Sequence, residues 1–427
     1  MQGHIAYFKP SGRTIMKLLI LSIDAMFSED VDKLYKYPKI APFLERALIS
    51  KNMAPIYPAL TYPCHVAIVS GNTPKNHGVY HNLECQPNAK WQDWKWYYTD
   101  ITGKTLFDYF KEAGWTSSAI FWPVSANAPV DYLVPEIWSY TSDPVEIIKA
   151  TSGGKAAHII ERHREDVDFT SKFKLDRFAK DCALDIVDEF DPDVMFLHLS
   201  LVDSNRHGFG IRHQKVEEAF DQCALWLEEV LEHISAKTDL NDLSLVILGD
   251  HGHLNCKGSL SMNKLFAERG WVDVPFPQKR SDCKAFTHAA GVSAQVYVND
   301  DAIRGEVEAL LEQLKQEGWL LNWFNKDDAA AHGLVGPFDY VLEAGEGYFF
   351  ADAVKPEFFT KSFAKDGGDY IGKHGHFPAR GDKPPFVLSR PGMACKSTQD
   401  HSILDIAPTI CKSFGLNPDP MEGESLL

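Results

Sequence analysis

DVMFLHLSLVDSNRH, residues 193–207, is an apolar run that stops at a carboxylate and carries a histidine four positions further on. Leu, Val and Phe in near-continuous succession mark a strand covered on both faces, which is the habit of parallel sheets. The pattern occurs twice more: KLLILSID at 17–24 ends at Asp24, and LSLVILGDH at 243–251 ends at Asp250 and His251. Parallel sheets present their functional groups at the carboxyl ends of the strands, so Asp24, Asp203, His207, Asp250 and His251 are expected to meet in one crevice. His374, in GKHGHF at 372–377, supplies a sixth candidate ligand. Six Asp and His side chains suit two divalent cations of the zinc type, each with three protein ligands and an open position, and so many carboxylates also admit manganese or iron. Such a centre serves metal-assisted hydrolysis.

Between these runs the chain alternates as an α/β protein does. YPKIAPFLERAL (37–48) reads as a helix, GKTLFDYFKEAGW (103–115) as a helix followed by the strand SSAIFW (117–122), and residues 175–190 and 215–234 place apolar side chains at helical spacing just before the second and third strands. Right-handed crossovers then give a central, mostly parallel sheet flanked by helices. Residues 257–370 break the rhythm: VSAQVYVN (292–299) alternates like a half-exposed strand, and AIRGEVEALLEQLKQEG (302–318) is an amphipathic helix ending at a glycine. This stretch is read as an inserted smaller α+β lobe in a core made of 16–256 and 371–427, which closes with the strand FVLSRPG and the helix SILDIAPTICKSFGL. Residues 1–15 have neither periodicity and are read as a leader of uncertain order.

Composition narrows the function classes. The 427 residues carry a formal net charge of −16, which argues against a nucleic-acid polymer or an anionic membrane as partner, since both select for basic patches. The eight cysteines show no paired spacing and read as small buried hydrophobes in a reducing compartment. KLLILSI is cut short by Asp24 and lacks a cleavage pattern, so neither a signal peptide nor a membrane span is expected, and a cytoplasmic location is.

The segment YPALTYPCHVAIVSGNTPKNHGVYHN (57–82) offers a nucleophile. Thr61 and Pro63 precede an apolar helical run, the signature of a helix N-terminus, where free backbone amides favour an anion. Thr61 either caps that helix or stands beside a bound phosphoryl group, in which case its hydroxyl needs an activator such as a cation. His65, His77, His81, His253 and His376 read as orienting or packing histidines, and Cys64 as buried filler. WQDWKWYYTD (91–100) could stack a flat leaving group through Trp91, Trp94 and Tyr97, or bury its aromatics in the core.

Taken together, an Asp after the first strand, the TYPCHVAIVSGNTPKNHG block, DSNRH, GDHG, HGH and the terminal DIAPT helix resemble the nucleotide pyrophosphatase/phosphodiesterase branch of the alkaline phosphatase superfamily, in that order. The resemblance covers most of the core and fades in the inserted lobe and the Trp-rich loop. It implies an alkaline-phosphatase-like fold and two zinc ions, one held by Asp203, His207 and His374 and the other by Asp24, Asp250 and His251. It further implies cleavage of phosphodiester or pyrophosphate bonds through a phosphothreonine on Thr61, with Asn82 and the backbone N–H after the nucleophile binding a phosphoryl oxygen. The implied partner is a small phosphate ester or nucleotide. Asn82, being neutral, suits a monoanionic diester; a phosphonate or phosphomonoester hydrolase with the same ligands is the nearest alternative. A phosphonoacetate-type activity would need a basic residue for the substrate carboxylate, for which Lys75, Lys95 and Lys373 are candidates. From another class comes a binding protein that has kept the fold and lost catalysis, although no ligand or nucleophile is missing.

Overall fold

The computed structural model describes residues 17–86, 92–139, 142–273 and 282–427. The leader at 1–15 and Trp91 therefore lie outside the described residues. Strands β1 (Leu18–Ile23), β2 (Ala47–Lys51), β3 (Ser117–Ile120), β4 (Tyr132–Val134), β5 (Val194–Leu199) and β6 (Ser244–Leu248) are followed by β7 (Leu254–Cys256), β8 (Gly258–Leu260), β9 (Ala285–Ala290), β10 (Ser293–Val298), β11 (Leu320–Asn325) and β12 (Tyr340–Ala344). The chain ends through β13 (Tyr348–Phe350), β14 (Phe359–Lys361), β15 (Ile371–Lys373), β16 (Phe386–Ser389) and β17 (Lys396–Gln399). Eight of them form the central sheet, in the order β17-β2-β16-β6-β1-β5-β3-β4. All neighbours in it are parallel except where β16 is inserted against β6 and β2.

The alternation of side chains along the inner strands divides the core into two layers. Leu19, Leu21 and Ile23 of β1 face one apolar cluster with Met195, Leu197, Leu245 and Ile247, while Leu18 and Ile20 face the other with Val194, Phe196, Val246 and Leu248. The helices Lys172–Phe190 and Gln214–Ser235 cover the first face; Thr61–Ser70, Leu106–Glu112 and Ile406–Phe414 cover the second. Burial on both faces is why these strands contain almost no polar residue.

A third apolar cluster is built largely from residues after β6 and centres on the antiparallel sheet β11-β12-β10-β9. Its strand β10 is buried along its whole length, not half-exposed as its alternation implies. The polar face of β10 meets other polar groups: Tyr297 donates to Gln295, which donates in turn to the backbone carbonyl of Tyr80. Glu343 of β12, also buried, accepts from the Phe377 backbone N–H at 3.0 Å and pairs with Arg380 at 2.5 Å. Burial pushes its carboxyl up to about 7, against the backbone N–H of Phe377 and the charge of Arg380.

The reading of 37–48 as one helix fails. Only Ala41–Leu44 makes a turn of α-helix, and Ala47 and Leu48 already belong to β2. Pro38 and Pro42 break the helical ladder, and pairing with β16 and β17 overrides the remaining propensity. Among the described residues no disulfide is formed, although all eight cysteines are included, and no helix is long and apolar enough to cross a membrane.

Phe196 joins sheet to helices: its ring meets those of Phe107 at 4.9 Å, Trp122 at 5.4 Å and Phe110 at 6.1 Å. Phe196→Ala is expected to destabilise the protein by about 3–5 kcal/mol, read as a lowered denaturation midpoint. An unchanged midpoint would contradict this account of the core.

Candidate active site

β1 lies between β5 and β6, parallel to both and in register, with Ser22 opposite His198 on one side and Leu248 on the other. The three carboxyl ends therefore finish side by side. Asp24 follows β1 directly, and Asp250 and His251 follow β6. Asp203 and His207 do not end a strand: β5 stops at Leu199, and the helix Leu201–Phe209 carries both on one face at a spacing of four. His374 arrives by another route. It follows β15, which pairs antiparallel with β7, Lys373 opposite Leu254, and β7 begins just after His253.

Two groups of ligand-competent atoms result, each drawn within 4.8 Å: Asp24, Asp250 and His251 in one, Asp203, His207, His253 and His374 in the other. The groups abut, with the His251 and His374 rings stacked at 4.2 Å. All six sequence-expected ligands are thus brought together, in the two sets that the resemblance implied. A seventh ligand-competent residue, His253, joins them, where the sequence reads only an orienting or packing histidine. Its Nε2 lies 2.7 Å from Asp203 Oδ1, and the clue was its place in GDHGH, two residues beyond His251.

Hydrogen bonds to carbonyl oxygens fix which imidazole nitrogens are free. His207 donates from Nδ1 to Gly372 O at 2.8 Å, which leaves Nε2 unprotonated and turned towards Asp203. His198 donates from Nδ1 to Phe121 O, and its Nε2 lies 3.3 Å from Asp24 Oδ2. His65 hydrogen-bonds to Thr61 O through Nδ1 and to Ser22 Oγ through Nε2. His198 escaped the sequence reading although it interrupts an otherwise apolar strand, which was the available signal.

The charge balance of the trio is incomplete within the protein. Asp24 Oδ1 and Asp250 Oδ2 are buried and accept no hydrogen bond. Burial raises both carboxyls well above the usual range, and neighbouring carboxylates add to this, Asp203 for Asp24 and Asp24 for Asp250. Burial also lowers His251 to about 3, so its imidazole is neutral and able to ligate. In the quartet, burial alone would raise Asp203, but His207, then His253 and His374, outweigh it and hold its carboxyl low. Buried acceptors without donors, beside neutral imidazoles, are the donor set that a divalent cation completes.

Thr61 is the first residue of the helix Thr61–Ser70, not its cap: extended Leu60 holds that position without a side-chain bond. The reading of Thr61 as a helix cap is therefore set aside. Its Oγ1 lies 3.1 Å from His251 Nε2, the ring nitrogen that also faces Asp24 and Asp250, so the hydroxyl stands beside the trio of ligand-competent atoms. Asn82 accepts from the Tyr62 backbone N–H at 2.9 Å. The two donors expected to converge on a phosphoryl oxygen are bound to each other, which leaves the Asn82 Nδ2 amino group as the donor on offer.

Thr61, Asn82, Asp24, Asp203, His207 and His374 line one cavity of about 230 Å³, together with Tyr62, Trp94, Glu136, Lys172, Ser200 and Ser204. Trp94 packs against Tyr62 at 5.1 Å and Trp138 at 5.0 Å. Tyr97 is not in this wall; it is 37% exposed and its backbone bridges to Ala126. The suggested lysines lie elsewhere too: Lys95 pairs with Glu84, Lys75 donates its backbone N–H to Gly333 O, and Lys373 sits over Phe349.

A family model described as type I phosphodiesterase / nucleotide pyrophosphatase matches residues 18–376. Human ectonucleotide pyrophosphatase/phosphodiesterase family member 1 is 22% identical over 274 residues, 61% of this chain and 26% of its own length. Rat family member 7 is 22% identical over 241 residues, 55% of this chain and 49% of its own. The match thus spans a quarter to a half of these relatives. An inactive variant of murine ectonucleotide pyrophosphatase/phosphodiesterase 5, in complex with AMP, superposes with a TM-score of 0.66 over 96% of this chain and 97% of its own, at 16% identity. The human protein of the same name gives 0.64 over 96% and 97%, also at 16% identity. At such identity the likeness is one of fold.

Asp24→Ala and Asp203→Ala are each expected to lower the metal content of protein equilibrated with excess zinc, and His253→Gln to weaken zinc binding roughly tenfold or more. Elemental analysis after gel filtration measures the first, competition with a chelator the second. Full zinc content in both Asp variants would refute the two-cluster assignment.

Proposed function

The chain belongs to the type I phosphodiesterase / nucleotide pyrophosphatase family, with the alkaline-phosphatase-like α/β fold its motifs implied, and on that footing we propose that it hydrolyses phosphodiester or pyrophosphate bonds of small nucleotide-type substrates through Thr61. The observation that carries the proposal is that Thr61 and Asn82 share one cavity with members of both ligand groups, Asp24 of the trio and Asp203, His207 and His374 of the quartet. Asp24, Asp250 and His251 would hold one divalent cation, and Asp203, His207 and His374, with His253, the other. Zinc is proposed from the Asp and His donor set, with manganese or iron as alternatives. Bound there, such ions supply Lewis-acid neutralisation of charge on the phosphoryl group.

The chain's own residues account for the rest. Thr61 Oγ1 attacks phosphorus and its proton is released to solvent, forming the Thr61–phosphorus bond while the leaving-group oxygen–phosphorus bond breaks; His251 Nε2, 3.1 Å from Thr61 Oγ1, would be engaged by the cation and takes no proton. Water then cleaves the phosphothreonine and returns the hydroxyl. The helix that begins at Thr61 fixes the nucleophile, and Asn82 offers its amide to a nonbridging oxygen. Among the described residues lining the cavity there is no arginine, which suits a diester with one negative charge better than a dianionic monoester. AMP bound to the murine relative supports a nucleotide-sized substrate. Cytoplasmic residence belongs to the same proposal, supported by eight cysteines without a disulfide, in contrast to the ecto- designation of the relatives. We further propose that 257–370, which contains most of the third apolar cluster, forms an accessory lobe beside the core.

Zinc-loaded protein is expected to favour bis(p-nitrophenyl) phosphate over p-nitrophenyl phosphate in kcat/KM, and a chelator to abolish both activities. Thr61→Ala should lower kcat by at least about a thousandfold with zinc content retained. A folded Thr61→Ala enzyme with near-normal turnover, or a preference for the monoester, would overturn the corresponding part of the mechanism.

A further inference from the structure

Two charged residues in the cavity have no part in the mechanism above. Lys172 opens the helix Lys172–Phe190, and Glu136 follows β4; both line the cavity with Thr61 and the ligand groups. Lys172 Nζ lies 3.9 Å from Glu136 Oε1, and Tyr62 donates its hydroxyl to Glu136 Oε2 at 3.3 Å. The Glu136 side chain is 8% exposed and that of Lys172 38%. The pair is held in place by packing: Trp94 meets Trp138, two residues beyond Glu136, and Trp138 meets Phe169, three residues before Lys172, at 5.6 Å. Lys172 is the one permanently positive side chain among the described lining residues.

Resting on the phosphodiesterase reading, we propose that Lys172 determines specificity by binding a second anionic group of the substrate, a phosphate or carboxylate a few bonds from the scissile phosphorus. Glu136, braced by the Tyr62 hydroxyl, holds the ammonium at the cavity wall between substrates. An incoming anion takes over the contact, because 3.9 Å is longer than a direct hydrogen bond and leaves the Lys172 donors available. A substrate with a cationic head does not fit this arrangement. It would have to displace Lys172 from Glu136 while suffering the repulsion of the same ammonium. Near the pair the lining is completed by the uncharged Tyr62 and Trp94, and with Asp24 and Asp203 among the ligand-competent residues, Lys172 is the cationic side chain left to discriminate by charge.

The test compares affinities that differ by one charged group. Dissociation constants for α,β-methylene-ADP, whose bridge is not hydrolysed, and AMP, and for phosphonoacetate and methylphosphonate, are measured calorimetrically on the zinc-loaded full chain, its Lys172→Gln and Lys172→Arg variants, and Glu136→Gln. Wild type should prefer the member of each pair with the second anion, and the preferred pair tells phosphate from carboxylate. Lys172→Gln should lower that preference about tenfold, Lys172→Arg should restore most of it, and Glu136→Gln should keep or raise it. Equal weakening of both members, or an unchanged preference in Lys172→Gln, would overturn the proposal. Turnover of bis(p-nitrophenyl) phosphate by the same preparations reports on the hydrolase reading separately. An inert wild type with an intact, Lys172-dependent preference sinks that reading alone, whereas turnover with a Lys172-independent preference sinks only this inference.

Discussion

Two carboxylates, Asp24 and Asp250, are buried side by side at the ends of adjacent strands, and each leaves one oxygen without a hydrogen-bond donor. Burial and the neighbouring carboxylate both raise these carboxyls, and the His251 imidazole beside them is neutral, so the arrangement is costly in the protein alone. The rest of the structure can be understood as what makes that arrangement unavoidable. The in-register parallel pairing of β1 with β5 and β6 cannot relax to separate the carboxylates without exposing Leu, Ile and Val on both faces of the sheet. The apolar core thus enforces an electrostatic configuration that the core does not itself satisfy, and strain of this kind is tolerated where a ligand relieves it.

Around that point the polar network is one of orientation. Carbonyl oxygens of Gly372 and Phe121 take the Nδ1 protons of His207 and His198, and the Thr61 carbonyl engages His65. Each of these acceptors belongs to a different segment, so the side chains near the cavity are aligned by backbone that the sheet and the helix Thr61–Ser70 have already fixed. Arg206, buried in the same helix as Asp203 and His207, anchors that helix to the first strand's exit: it pairs with Asp30 at 2.9 Å and covers the ring of Phe27. Its role is to hold the helix, and through it the spacing of two ligands.

The three apolar runs were legible because burial on both faces leaves a sequence signature that no surface strand shares, and the carboxylates that end them announced the site. What was illegible depended on contacts between distant segments. Residues 37–48 look helical, yet Ala47–Lys51 is captured as an inner strand of the sheet by β16 and β17, which lie far along the chain. β10 alternates like a half-exposed strand, but its polar face is covered by the segment bearing Tyr80. His253 and His198 did leave local marks, a second histidine in GDHGH and a polar residue inside a strand. Glu136 and Lys172 left none, because only the packing of Trp94, Trp138 and Phe169 makes them neighbours.

His374 reaches the quartet just after β15, which among the described residues pairs with β7 alone, at the far side of the four-stranded unit in sequence. As the chain leaves the ribosome, the Asp24, Asp250 and His251 trio can be complete once β6 and the turn after it have emerged, whereas the quartet must wait for the whole of the four-stranded unit and for β15. The nascent protein therefore passes through an interval in which one ligand set exists without the other. On the proposed two-cation reading, a cation captured early would meet only half of a centre, and the order of synthesis would become an order of metal loading.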